Sequence, residues 1–210
     1  MTAKACARGA AASALALAGT AALAHSPIPG IGLFYSGAAH PFVSPAHLVA
    51  LLALGLAVGQ RGQRGAGDLA LLKPPLLALL GATVAALAIT LAGVFGDPDT
   101  DRVLLVLGAL TGLMVAAAWG PPTPVLMALA AVVAVAVLIA SAPSGVDTGA
   151  RRTSLIGSAV VTVGLVSYVA VMVAVAQRAW LHIAVRVFGS WLAAAALLVL
   201  ALSFAPVRGA

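Results

Sequence analysis

The sequence predicts an all-α protein: a polytopic bundle of about six transmembrane helices that follows an N-terminal signal peptide. Hydrophobic residues make up 63% of the 210 residues and charged residues only 8%, and the mean hydropathy is +1.16. A water-soluble domain carries about 25% charged residues, so this chain lacks the polar surface that water requires. The apolar runs do not alternate in polarity, as a transmembrane β-barrel would require. Helices are then the only structures that can hydrogen-bond all of their own backbone N–H and C=O groups in lipid.

Residues 1–24 have the features of a secretory signal peptide. Lys4 and Arg8 precede an apolar stretch over residues 10–23, and an Ala-Leu-Ala triplet at its end matches a cleavage site. The stretch is shorter than the ~20 residues that a transmembrane helix needs, although an uncleaved first helix is the alternative. Cleavage would leave His25 as the mature N-terminus, on the periplasmic side of a bacterial inner membrane.

Six apolar runs follow within residues 25–210, which are expected to form a single transmembrane domain. The runs are Pro45 to Val58, Pro75 to Phe95, Val103 to Trp119, Pro124 to Ala140, Ser154 to Ala176 and Trp180 to Phe204. A shorter apolar stretch, Ile31 to Ala39, precedes the first run. Short connections rich in Gly, Pro and Asp separate the runs, as expected for turns between helices.

The basic residues are scattered singly between these runs, which argues against a nucleic-acid partner and for the lipid bilayer. Arg61, Arg64 and Arg178 lie in connections that the signal peptide places in the cytoplasm, as the positive-inside rule requires. Arg151 and Arg152 fall in a connection placed outside. The rule therefore agrees with this orientation only in part, and the signal peptide decides it.

The first helix is predicted to be broken near Pro41–Pro45. Pro41 disfavours helical structure at His40, so the short apolar stretch should end about there. Ser44 followed by Pro45 is typical of the start of a new helix. The break would place His40 at one edge and His47 in the first turn of the next helix.

His25, His40 and His47 form a candidate metal site on the periplasmic side. Neutral imidazole is a favoured ligand for nickel, copper, zinc and iron. After cleavage His25 could add both its α-amine and its imidazole to one metal ion. The alternative is that His40 and His47 are interfacial residues at the entry of a helix.

Two segments resemble the HupE/UreJ family of membrane proteins. The first is AHPFVSPAHLVALLALGLAVG, residues 39–59, and the second is RVFGSWLAAAALLVLAL, residues 186–202. In that family the first helix opens with His-Pro, four residues and Asp-His. His40, Pro41 and His47 match this pattern, and Ala46 stands where the family has Asp. The resemblance implies a cleaved signal, about six helices, and uptake of nickel or cobalt as a transported ion.

A second motif of the nickel permeases in that family, Phe-His-Gly followed by His-Gly-x-Glu, is absent. The chain has no histidine between His47 and His182 and no Glu at all. Without a carboxylate, a divalent cation near the membrane midplane faces a large desolvation cost. The alternative function is therefore that of a non-transporting accessory or assembly subunit of a metalloenzyme or another membrane complex.

Arg186, Tyr35 and Ser36 are further polar candidates within or beside the apolar runs. Arg186 lies ~9 Å along the last helix, where an ionisable group is a functional candidate. Alternatively it reaches the interface or bonds the carbonyls of a helix end. Convergence of these groups with His40 and His47 on a water-accessible cavity would favour transport, and a solidly packed bundle would favour an accessory role.

Haem and enzyme chemistry are not expected. His47 and His182 open helices at opposite faces of a core ~30 Å thick, so they cannot share one haem. All five acidic residues fall outside the apolar runs, which leaves hydroxyl groups there without a carboxylate or base to activate them. We therefore predict no catalytic residue, and no cofactor other than nickel or cobalt as cargo.

Overall fold

The computed structural model describes residues 31–93, 99–143 and 146–204, which are almost entirely helical. The helices are α1 (Leu33–Val43), α2 (Pro45–Arg64), α3 (Lys73–Leu91), α4 (Asp99–Ala116), α5 (Thr123–Ala140), α6 (Thr148–Val175) and α7 (Ala179–Phe204). A short 3-10 helix, Leu69–Leu72, joins α2 to α3. The all-α prediction is confirmed for these residues, which contain no β-strand. The predicted signal peptide and His25 lie outside them.

Each predicted apolar run corresponds to one of the helices α2 to α7. Within the described ranges, four helices are long and apolar enough to cross a bilayer: α3 with its preceding 3-10 helix, α5, α6 and α7. Counted as one bent span, α1 and α2 together make a fifth. The remaining helix, α4, has 18 residues and opens with the charged residues Asp99, Asp101 and Arg102.

The bend between α1 and α2 confirms the predicted break, but α1 extends further than expected. It continues through His40 and Pro41, and the chain turns by 76° at Ser44. Pro41 lacks the N–H that would bond the carbonyl of Gly37 four residues earlier. In its place the Ser158 hydroxyl of α6 donates to that carbonyl at 2.8 Å. This bond from a neighbouring helix replaces the missing one, so α1 does not end at the proline.

Helix α2 lies at the centre of the bundle. It packs mainly against α4 and α6 and also contacts α7, and most of its residues are buried. The other close pairs are α1 with α6, α3 with α5, and α4 with α7. The central position of α2 puts His47 at one end of the core and the polar residues of its last turn at the other.

Glycines allow the closest approaches between helices. A Cβ atom at Gly157 would collide with the Phe34 carbonyl of α1, and one at Gly37 with the Ser154 carbonyl of α6. At the contact of α4 with α7, a Cβ at Gly112 would lie 2.7 Å from the carbonyl oxygen of Gly189. Gly108 instead faces α2. The Gly108–Gly112 pair therefore serves packing within the chain, as small residues do in membrane bundles.

Candidate functional site

His40 near the end of α1 and His47 in the first turn of α2 lie against each other across the bend. Their ring centroids are 5.0 Å apart and the ring planes meet at 72°. Both side chains are buried, His47 completely. The sequence predicted that these two residues flank a helix break, and the bend brings their rings into contact. We call them the histidine pair.

Nδ1 of His47 lies between a hydroxyl and a carboxylate. It is 2.5 Å from Oγ of Ser44, the residue at the bend, and 4.0 Å from Oδ1 of Asp101 in the first turn of α4. The Asp101 side chain is 43% exposed, but its Oδ1, which faces His47, is buried. The bend and the start of α4 thus put a carboxylate next to the histidine pair.

Asp101 was not among the residues that the sequence singled out. It is far from His47 along the chain. It also lies at the edge of a connection whose Gly, Asp and Pro residues are typical of a surface turn. A usable signal did exist: one apolar run separates residues 97–101 from the connection with Arg61 and Arg64, so the positive-inside orientation puts this acidic connection on the same side of the membrane as His40 and His47. Only the packing of α4 on α2 shows which of its acids reaches the pair.

The histidine pair and Asp101 do not form a ready three-ligand metal site. In residues 31–93, 99–143 and 146–204 no group of three or more His, Cys, Asp or Glu side chains has an arrangement that could hold a metal ion. His25, the third predicted ligand, lies outside these ranges. The described part of the site therefore offers two imidazoles in contact and one carboxylate at a longer distance.

The structure separates Tyr35 from Ser36. Ser36 is buried and lies one helical turn before His40, on the same face of α1. Tyr35 is 68% exposed and packs edge-on against Phe34, with ring centroids 5.5 Å apart. Ser36 therefore shares the surroundings of the histidine pair, and Tyr35 does not.

Arg186 lies at the opposite end of the bundle from the histidine pair. Its Nε donates to the carbonyl of Ala116, the last residue of α4, at 2.9 Å. Asp101 lies in the first turn of that helix and Ala116 ends it, which at 1.5 Å per residue separates them by ~22 Å. A guanidinium at a helix C-terminus also stabilises the helix dipole. This contact with a helix end is the alternative that the sequence left open, and the polar candidates do not converge on one cavity.

The family model for the HupE / UreJ protein matches residues 13–199, which is most of the chain. The chain belongs to the HupE/UreJ family. Neither the curated proteins nor the solved structures contain a significant match to it. Membership indicates a multi-pass membrane protein similar to nickel and cobalt transporters, in a family that is not known for enzymes.

In this HupE/UreJ protein the last turn of α2 closes the end of the bundle that is distant from the histidine pair. Four polar side chains of α2 bond to three other helices or their ends, and we call them the polar end of α2. Their bonds are Gln60 Nε2 to the Val115 carbonyl at 3.0 Å, Arg61 to the Thr123 hydroxyl at 2.5 Å, Gln63 Nε2 to the Ala176 carbonyl at 2.7 Å, and Arg64 to the Trp119 carbonyl at 2.9 Å. Burying an amide without a hydrogen bond costs free energy, so these hydrogen bonds hold the helices together at this end.

Proposed function

We propose that this HupE/UreJ protein takes up a divalent cation of the nickel and cobalt class, and that the histidine pair captures it. The observation that carries the proposal is the contact of two buried imidazoles across a helix bend. Imidazole nitrogens suit nickel and cobalt well. Broken helices at membrane depth recur as ion sites in transporters.

The charge distribution supports a periplasmic position for the histidine pair in the inner membrane. The polar end of α2 is basic, and Lys73 and Arg178 lie at the same end of the bundle, with Asp68 as the one acid of the described residues there. The end with the histidine pair carries Asp99, Asp101 and Asp147 together with Arg102, Arg151 and Arg152. An excess of Lys and Arg marks the cytoplasmic side. A cation would then enter from the periplasm, at the end of the bundle that carries Asp101.

Capture at the histidine pair exchanges water for imidazole ligands. Neutral imidazoles can replace part of the hydration shell without adding charge, and His25 would supply two further nitrogen ligands if the signal peptide is removed. On this proposal, the end of the bundle that the bonds of the polar end of α2 hold together is the cytoplasmic exit. Passage of the ion therefore requires these contacts to open, as alternating access demands.

A second candidate is a non-transporting accessory or assembly subunit of a metalloenzyme or another membrane complex. One observation favours it: the polar candidates are split between the two ends of the bundle, with Arg186 on a helix end rather than in a cation pathway. The described residues also lack the second histidine motif and any glutamate. An uptake measurement distinguishes the two candidates.

Uptake of radiolabelled nickel and cobalt tests the proposal. The cells would lack their own high-affinity importers and carry the wild type, the His40→Ala/His47→Ala double variant or an empty vector. We expect uptake by the wild type and a fall to the vector level in the double variant, because both imidazoles that would bind the ion are removed.

His182→Ala is the matched control, because this histidine lies in α7 at the other end of the bundle. Its uptake should equal that of the wild type. Wild-type uptake equal to the vector, with the protein verified in the membrane, would favour the accessory candidate. Full uptake by the double variant would place the cation site elsewhere.

A further inference from the structure

The position at which the family pattern has an aspartate is occupied here by a core residue. Ala46 is only 4% exposed and precedes His47 in the first turn of α2. A divalent ion beside two neutral imidazoles would then lack a compensating negative charge in this segment. In a poorly solvated site, an uncompensated charge has a high free-energy cost. Another helix has to supply it if the site binds a cation.

Asp101 is directed to this site by the packing of α4 on α2. Gly108 lies two helical turns after Asp101, so both residues are on one face of α4. That face meets α2 closely: a Cβ at Gly108 would lie 3.1 Å from Val49 and 3.3 Å from the backbone nitrogen of Ala50. The glycine contact therefore brings the first turn of α4 to the first turn of α2. Oδ1 of Asp101 reaches 4.0 Å from Nδ1 of His47.

The neighbouring acid of α4 has a different environment. Asp99 pairs with Arg102 one turn later, on the more exposed side of the helix, and its side chain is 67% exposed. Two residues of an α-helix separated by one position point in nearly opposite directions. Of these two acids, Asp101 is the one whose charge acts on His47.

The distances favour an indirect role for Asp101. Two adjacent ligands of one metal ion, each at ~2.1 Å from it, are about 3.0–3.4 Å apart, which is shorter than the 4.0 Å between Oδ1 and Nδ1. Ser44 Oγ also lies next to Nδ1, at 2.5 Å. Nδ1 is therefore the ring nitrogen that faces protein groups, and Nε2 is the nitrogen suited to a metal ion.

We propose that Asp101 is the positioning carboxylate of the histidine pair. It supplies the negative charge that is missing at position 46, where this chain has alanine and the family pattern has aspartate. With Ser44 it favours the tautomer of His47 that carries its proton on Nδ1, which leaves the lone pair on Nε2 for a divalent cation. Its negative charge also offsets the charge of the ion. A carboxylate hydrogen-bonded to a metal-binding histidine acts in this way, and at 4.0 Å Asp101 acts through its charge, with Ser44 in hydrogen-bond range. This inference rests on the cation-binding function proposed above.

Binding of Ni²⁺ to the purified protein in lipid nanodiscs, measured by calorimetry, tests the inference. Asp101→Asn keeps the size of the side chain and removes its charge, and we expect the dissociation constant to rise by about 10- to 100-fold. Asp101→Glu should recover most of the affinity because it restores the charge. Asp99→Asn is the matched control, since it removes a charge from the same turn of α4, and its affinity should stay within about threefold of the wild type.

The outcomes separate this inference from the proposed function. Wild-type affinity in Asp101→Asn, together with loss of binding in the His40→Ala/His47→Ala variant, would overturn the role of Asp101 and leave the histidine site intact. No saturable Ni²⁺ binding by the wild type would overturn both. If the metal-free Asp101→Asn protein unfolds at the same temperature as the wild type, the change in affinity is not a folding defect. Failure of Asp101→Glu to recover affinity would contradict a role of charge.

Discussion

Gly157→Ala is expected to lower the free energy of unfolding by about 1–3 kcal/mol, the usual cost of overpacking a well-packed core. The added methyl group would collide with the carbonyl oxygen of Phe34, and the backbone nitrogen of Ala38 would lie 2.8 Å from it. These are backbone atoms, so α1 and α6 have to move apart. Separation would also weaken the bond from Ser158 to Gly37 that lets α1 pass Pro41. Unfolding by SDS in mixed detergent micelles measures the change.

Gly164→Ala provides the control on the same helix. No atom of another helix lies within 4 Å of a Cβ placed there, so the new methyl group has room. Alanine is a better helix former than glycine by about 1 kcal/mol, so this variant should be as stable as the wild type or slightly more stable. Equal destabilisation by both substitutions would show that the contact of α1 with α6 is not as close as described.

Gln60→Leu is expected to destabilise the protein by about 1–2 kcal/mol. Gln60 is 4% exposed, donates to the Val115 carbonyl of α4, and accepts from Arg64 at 3.2 Å. Leucine fills a similar volume but makes neither bond, so the link between α2 and the end of α4 is lost and Arg64 loses one acceptor. The same SDS titration measures the loss.

Gln177→Leu is the matched control for that substitution. The amide of Gln177 donates to the Ala174 carbonyl three residues earlier, so it joins no two helices. We expect a change below about 0.5 kcal/mol, as for most substitutions away from the core. A loss in Gln177→Leu as large as that in Gln60→Leu would mean that the contacts of the polar end of α2 add nothing beyond local bonds.

The histidine pair shows how far reasoning from local sequence reaches in this protein. The order His-Pro, then Ser-Pro, then His within a short segment is enough to predict a break with an imidazole on each side, because proline and N-cap preferences act over a few residues. The same local rule placed the end of α1 too early. Pro41 is accommodated only because Ser158, far along the chain, supplies a hydrogen bond.

The all-helical fold, the six apolar runs and the position of the break follow from composition and local order, since the bilayer admits few backbone structures. The partners of the polar residues do not. Asp101 reaches His47, Arg186 bonds the end of α4, and Gln60 bonds Val115 only because α2 packs against α4, and α4 against α7. Such contacts depend on which faces of the helices meet, and small residues at Gly108, Gly112 and Gly189 set those faces by letting backbones approach. Alanine and glycine are so common in this chain that the pattern marking the faces is visible only once the helices are assembled.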